Sequence, residues 1–89
     1  MVKILIHGCN GHMGQVVSRL AEADEQLQTV AGVDPFPGGE HSYPVYQSLK
    51  DYQEKAEEKA DVIVDFSSAK AVDELLSFCE ETKTACVLC

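Results

Sequence analysis

The sequence predicts an α/β fold, a parallel sheet of about four strands in the order 2-1-3-4 with helices on both faces. Three observations carry that expectation. Short apolar runs alternate with segments of helical periodicity in the order β-α-β-α-β-α-β. The runs Val2 to His7 and Val62 to Phe66 are nearly continuous in apolar, largely β-branched residues, as strands covered on both faces are. The first run leads at once into Gly8, Gly11 and Gly14, and a helix pattern then begins.

A strand, a glycine turn and a helix in that order make a Rossmann-like site for a dinucleotide pyrophosphate. Gly8 permits a sharp turn, and Gly11 keeps a Cβ out of the way of an approaching ligand. Gly14 lets the helix pack closely on the strand, and the amides of the first helical turn face the phosphates. The spacing is G-x-x-G-x-x-G, where G-x-G-x-x-G is commoner, so the glycines alone are a weak signal.

The remaining elements follow in order. Helix A is expected from about Gly11 to Ala23, burying Met13, Val16, Val17 and Leu20 and closed by Asp24 and Glu25. Met13 is thus counted both with the core and with the phosphate turn. Gln28 to Val33 reads as the second strand, ending at Asp34, which stands 20 positions after Gly14. There a carboxylate accepts hydrogen bonds from an adenosine ribose and repels a 2′-phosphate, which favours NADH over NADPH. Pro35 to Pro44 reads as a loop, in which Phe36 is open to two readings, an edge of an adenine pocket or surface packing. Helix B is placed within Tyr46 to Ala60, with Ser48 as N-cap and Leu49, Tyr52 and Ala56 along one face. After the third strand, Ser67 or Ser68 caps helix C, Ala69 to about Lys83, whose buried face is Val72, Leu75, Leu76 and Cys79. Ala85 to Cys89 is a fourth strand, and a sheet ending on a bare apolar edge is expected to be cut short there.

Composition bounds the function. With 89 residues the chain makes one small domain, burying about 60–65% of its unfolded surface on folding. Seven basic against 15 acidic residues give a net charge of −8, which speaks against nucleic acid or an anionic membrane as partner. No apolar run approaches the ~18 residues of a membrane span. Met1 leads straight into a strand with no signal-peptide pattern, so the expected location is the cytoplasm. Cys86-Val-Leu-Cys89 matches C-x-x-C, but residues three apart on a strand point to opposite faces. Together with Cys9 and Cys79 these read as free thiols that act as small hydrophobes. His7, His12 and His41 show no ligand spacing with them, and no metal is expected.

The whole chain resembles the N-terminal half of the 4-hydroxy-tetrahydrodipicolinate (dihydrodipicolinate) reductase family of lysine and diaminopimelate biosynthesis. Gly8-Cys9-Asn10-Gly11-His12-Met13-Gly14 corresponds to that family's G-x-x-G-R-M-G, and Val64-Asp65-Phe66-Ser67 to its V-D-F-[ST], with the acidic Asp34 between them. The resemblance implies that Gly8, Cys9, Asn10, Gly11, His12, Met13 and Gly14 meet the pyrophosphate, that Asp34 holds the ribose, and that Phe66 and Ser67 lie near the nicotinamide half. His12 departs from the family's arginine. Imidazole is mostly neutral at pH 7 and holds a 2′-phosphate poorly, and Pro35 follows Asp34 where a basic residue could stand, so NADH is expected ahead of NADPH.

The resemblance further implies that the proton-donating histidine, the substrate-binding lysine and the tetramer contacts belong to a second domain. On that reading residues 1–89 form a cofactor-binding domain with no catalytic residue of its own. Two other readings of the residues stand beside it: a stand-alone nucleotide-binding or sensing module, and a structural flavodoxin-like domain whose glycines serve packing only. The bare last strand also predicts self-association through that edge.

Overall fold

The computed structural model describes residues 2–35, 41–66 and 69–88, with the side chains of 69–72 and 88 outside the description. Its elements are β1 (Val2–His7), α1 (His12–Glu22), β2 (Leu27–Val33), β3 (Val45–Tyr46), α2 (Leu49–Lys55), β4 (Val62–Asp65), α3 (Ala69–Thr82) and β5 (Ala85–Leu88). The strands form one parallel sheet in the order β3-β2-β1-β4-β5. The expected order is present as β2-β1-β4-β5, and β3 is an additional strand on the outer side of β2.

Alternation along β1 divides the core in two. Leu5 packs with Ala31, Val33 and Ile63 of the sheet and with Leu49, Tyr52, Leu75 and Cys79 of α2 and α3. Ile4 and Ile6 point the other way and pack with Cys9, Ala21 and Tyr43 beneath α1. Leu5, Ile6, Ile63 and Leu75 are fully buried, each contributing about 1.5–3 kcal/mol by transfer from water. A register shift between Ile4 and Leu5 pairs them with Thr29 and Ala31, which brings Ala31 and Val33 onto the face of Leu5.

Three expectations are corrected. The segment placed in helix B begins as strand: Val45 and Tyr46 pair with Gly32 and Val33, and α2 covers only Leu49–Lys55. Ser48 is indeed the N-cap, its hydroxyl accepting the Asp51 amide at 3.1 Å. The helix stops early because Ala56 turns extended, Lys59 Nζ donates to the Gln53 carbonyl at 2.8 Å, and the Ala60 amide donates to the Tyr52 hydroxyl at 2.7 Å. In α1 the inward residues are Gly14, Ser18 and Ala21, while Met13 and Leu20 are 52% and 65% exposed. Close packing of Gly14 against the preceding turn sets the helix's rotation, and Ser18 tolerates burial by bonding the Gly14 carbonyl (2.8 Å) and the Tyr43 hydroxyl (2.6 Å). In α3 Leu75 and Cys79 are buried, but Leu76 is exposed.

Among the described residues no helix is long and apolar enough to cross a membrane. Ser67, Ser68, Phe36 and Cys89 lie outside the described residues.

Candidate functional site

The carboxyl ends of β1, β2 and β4 meet at one edge of the sheet, and the glycine turn rises from the centre of that edge. Gly8 has φ +87°, in the region open to glycine, and its amide donates to the Val33 carbonyl at 2.7 Å, which ties the turn to the end of β2. The Gly11 amide returns to the Gly8 carbonyl at 3.2 Å. Gly11 is the N-cap of α1 and offers no side chain to the first-turn amides, and no acidic residue stands in that turn.

The glycines differ in what surrounds them. A Cβ on Gly14 would lie 2.3 Å from the Gly8 carbonyl oxygen and 2.8 Å from Cys9 Cα, so the residue is fixed by packing. A Cβ on Gly11 would meet only the Gly8 oxygen, at an ordinary 3.5 Å. Protein packing therefore does not require glycine at position 11.

Asp34 follows β2, its amide held by the Tyr46 carbonyl at 2.9 Å, and its Oδ2 accepts the Asn10 amide at 3.0 Å. Asn10 is fastened elsewhere as well. Its carbonyl accepts from Gln15 Nε2 at 2.9 Å, and its side-chain oxygen lies 2.7 Å from His41 Nε2. The turn, the Asp34 carboxylate and the first turn of α1 thus come together around one residue.

Cys9 Sγ lies 3.8 Å from Asn10 Oδ1. Its side chain is fully buried against Gly32 and Tyr43, and burial, then the negative charge of Asp34, pushes its thiol up to about 11. His12 and Met13 stand exposed at the start of α1. Phe66 is half-buried beside Ile6 and Cys9, and its amide donates to the His7 carbonyl at 2.8 Å, placing it next to the turn. Ser67 is outside the description.

Two features escaped the sequence. His7 Nδ1 and Asp65 Oδ1 lie 2.9 Å apart, both buried, joining the last residues of β1 and β4. The pair could have been read from the parallel alignment of the strand ends, in which His7 faces Asp65. His41, in the loop before β3, gave no such signal. Beside it a cleft of about 220 Å³ is lined by Gln15, Ser18, Arg19, Glu22 and His41. Larger clefts lie along α2 and α3, where no glycine turn or strand-end carboxylate converges. Among the described residues no three His, Cys, Asp or Glu side chains are grouped to hold a metal ion.

The family model for the dihydrodipicolinate reductase N-terminus matches residues 2–89. The 4-hydroxy-tetrahydrodipicolinate reductase of Caldanaerobacter subterraneus subsp. tengcongensis is 40% identical over 90 residues, covering 99% of this chain and 33% of the relative. That of Clostridium botulinum is 42% identical over 89 residues, covering 100% of this chain and 33% of the relative. The chain spans about a third of the length of these relatives. Among solved structures, the dipicolinate-bound dihydrodipicolinate reductase from Paenisporosarcina sp. TG-14 superposes with a TM-score of 0.82 at 22% identity, over 99% of this chain and 37% of that one. A myo-inositol dehydrogenase from Corynebacterium glutamicum gives 0.84 at 20%, over 99% and 27%. These two likenesses speak to the fold alone. The family resemblance read from the glycine turn, Asp34 and Val64 to Ser67 agrees with the family match.

Proposed function

Since the chain belongs to the dihydrodipicolinate reductase family, as its N-terminal part, we propose that it is the dinucleotide-binding portion of such a reductase and takes NADH in preference to NADPH. The observation that supports this reading is the 3.0 Å bond from the Asn10 amide to Asp34 Oδ2, which joins the carboxylate after β2 to the glycine turn after β1.

When bound, the nicotinamide supplies a hydride to the unsaturated ring of the substrate. The residues of this chain bind and orient the cofactor. The backbone from Gly8 to Met13 and the N-terminus of α1 receive the pyrophosphate, and Asp34 receives the ribose hydroxyls. Phe66 borders the nicotinamide half. No residue here is assigned the proton transfer to substrate; that role falls to the two-thirds of the relatives' length that this chain does not span.

The preference for NADH rests on charge. A 2′-phosphate would stand beside Asp34, and the neighbouring positions 12 and 35 hold His12 and Pro35, neither a fixed cation. The packing-only reading of the glycines accounts for Gly14 but leaves Gly11 without a reason. Calorimetric titration of the chain with NADH and NADPH tests the proposal. NADH is expected to bind more tightly. Tighter binding of NADPH would overturn the preference, and no binding of either would overturn the dinucleotide reading.

A further inference from the structure

Asn10 sits at the middle of the glycine turn and is gripped from three elements at once: Asp34 after β2, Gln15 on α1, and His41 from the segment leading to β3. The first two grips hold the backbone. The His41 grip holds the side chain from 31 positions away in sequence, on the same oxygen that Cys9 Sγ approaches at 3.8 Å. We propose that His41 is a positioning residue for the dinucleotide turn, keeping Asn10 and the amides on either side of it in the shape that receives a pyrophosphate. The inference rests on the dinucleotide reading above.

The loop is built to present that imidazole. Its ring stacks on Tyr43 with centroids 4.8 Å apart, and Tyr43 is itself buried and hydrogen-bonded to Ser18 on α1 at 2.6 Å. The ring therefore rests on a support fixed to the same helix whose N-terminus carries the turn. His41 Nδ1 is buried with no hydrogen-bond partner among the described residues. An amide oxygen can only accept, so in the 2.7 Å contact Nε2–H donates to Asn10 Oδ1. An imidazole held in one orientation fixes the amide it bonds. A turn that is already shaped gives up less freedom when a ligand arrives.

Glutamine places an amide N–H near where histidine carries Nε2, whereas phenylalanine keeps a ring on Tyr43 but has no donor. Calorimetric titration with NADH would compare the parent, His41→Gln, His41→Phe, Asn10→Ala and the double variant His41→Phe/Asn10→Ala, with thermal unfolding to verify folding. His41→Phe is expected to weaken NADH about tenfold and His41→Gln to bind as the parent does. In the Asn10→Ala background the His41→Phe change should add nothing further, because the contact it removes is already gone. Should His41→Phe fail to fold, a matching tenfold loss in Asn10→Ala alone carries the same prediction. Parent-like affinity in His41→Phe, equal losses in the Gln and Phe variants, or additive losses in the double variant would each overturn the inference while leaving the dinucleotide reading in place. A parent that binds no NADH would overturn both.

Discussion

The amide of Asn10 and Oδ2 of Asp34, 24 positions apart in sequence, are joined at 3.0 Å. The bond fastens the phosphate-type turn after β1 to the carboxylate after β2. It orients that carboxylate. Both residues belong to neighbouring strand ends, so the parallel pairing of His7 with Val33 already brings their main chains together.

Asp34→Ala removes the ribose acceptor and the tether on Asn10 in one change. NADH affinity should fall by about tenfold or more, since hydrogen bonds to a charged group contribute ~1.5–3 kcal/mol. NADPH should lose less, because removing the carboxylate also removes its repulsion of a 2′-phosphate. Calorimetry with both cofactors measures the two losses, and equal losses would refute the charge argument for NADH.

Gly11 and Gly14 should separate binding from folding. Gly14→Ala forces a Cβ to within 2.3 Å of the Gly8 carbonyl oxygen, a backbone atom that cannot swing aside. Overpacking of this kind costs about 2–3 kcal/mol, which lowers the melting temperature of a domain this size by roughly 10–20 °C. Gly11→Val sets its Cβ at an ordinary 3.5 Å from the Gly8 carbonyl oxygen and should cost under about 1 kcal/mol, while its branched side chain fills the room the proposed pyrophosphate needs. Circular dichroism should therefore show a stable Gly11→Val that no longer binds NADH. NADH binding as tight as the parent's in that variant would return the glycines to a packing role.

Cys9 predicts a loss of stability in alkali. Burial, with Asp34 next in effect, lifts its thiol from 9.0 to about 11 in the native chain. Between those values the unfolded chain sheds a proton that the folded chain keeps, so this contribution is complete below pH 9 and is lost as pH rises through 11. Tyr43, pushed up to about 12 chiefly by burial, extends the trend. Melting temperatures from pH 8 to 10.5 should fall more steeply in the parent than in Cys9→Ala. Identical slopes would show that the thiol is not protected.

Much of this fold was legible because its strands announce themselves. Ile4 to Ile6 and Val62 to Val64 are runs that only a covered strand explains, and the helices between them fix a parallel sheet. β3 was not legible, because Val45 and Tyr46 are too few to show a period and gain their strand character from pairing with Gly32 and Val33. The rotation of α1 was misread for a related reason. Periodicity counts apolar side chains, and here the decisive contact is made by Gly14, which has none. In the site, Gly8, Gly11, Gly14 and Asp34 could be found from their spacing. His41 could not, because a lone histidine in a proline-rich loop carries no sign that it will meet Asn10.

The outer edge of β5 supports the remaining prediction. Among the described strands β5 is an edge strand, paired with β4 alone, and Val87 on it is 51% exposed. The face that Val87 shares with Val64 continues into a cleft of about 350 Å³ lined by Val2, Ile4, Leu20, Val62 and Val64. An unpaired edge next to exposed apolar side chains invites a second copy, which would gain both strand hydrogen bonds and apolar contact. The −8 charge opposes association at long range, but salt screens it within about 8–10 Å, so association should strengthen as ionic strength rises. Sedimentation of the 89-residue chain across protein concentrations, with reductant to hold the cysteines as thiols, should show self-association that Val87→Lys reduces. A chain that stays monomeric at high concentration and high salt would refute the edge as a contact surface. Association unchanged by Val87→Lys would move that surface elsewhere.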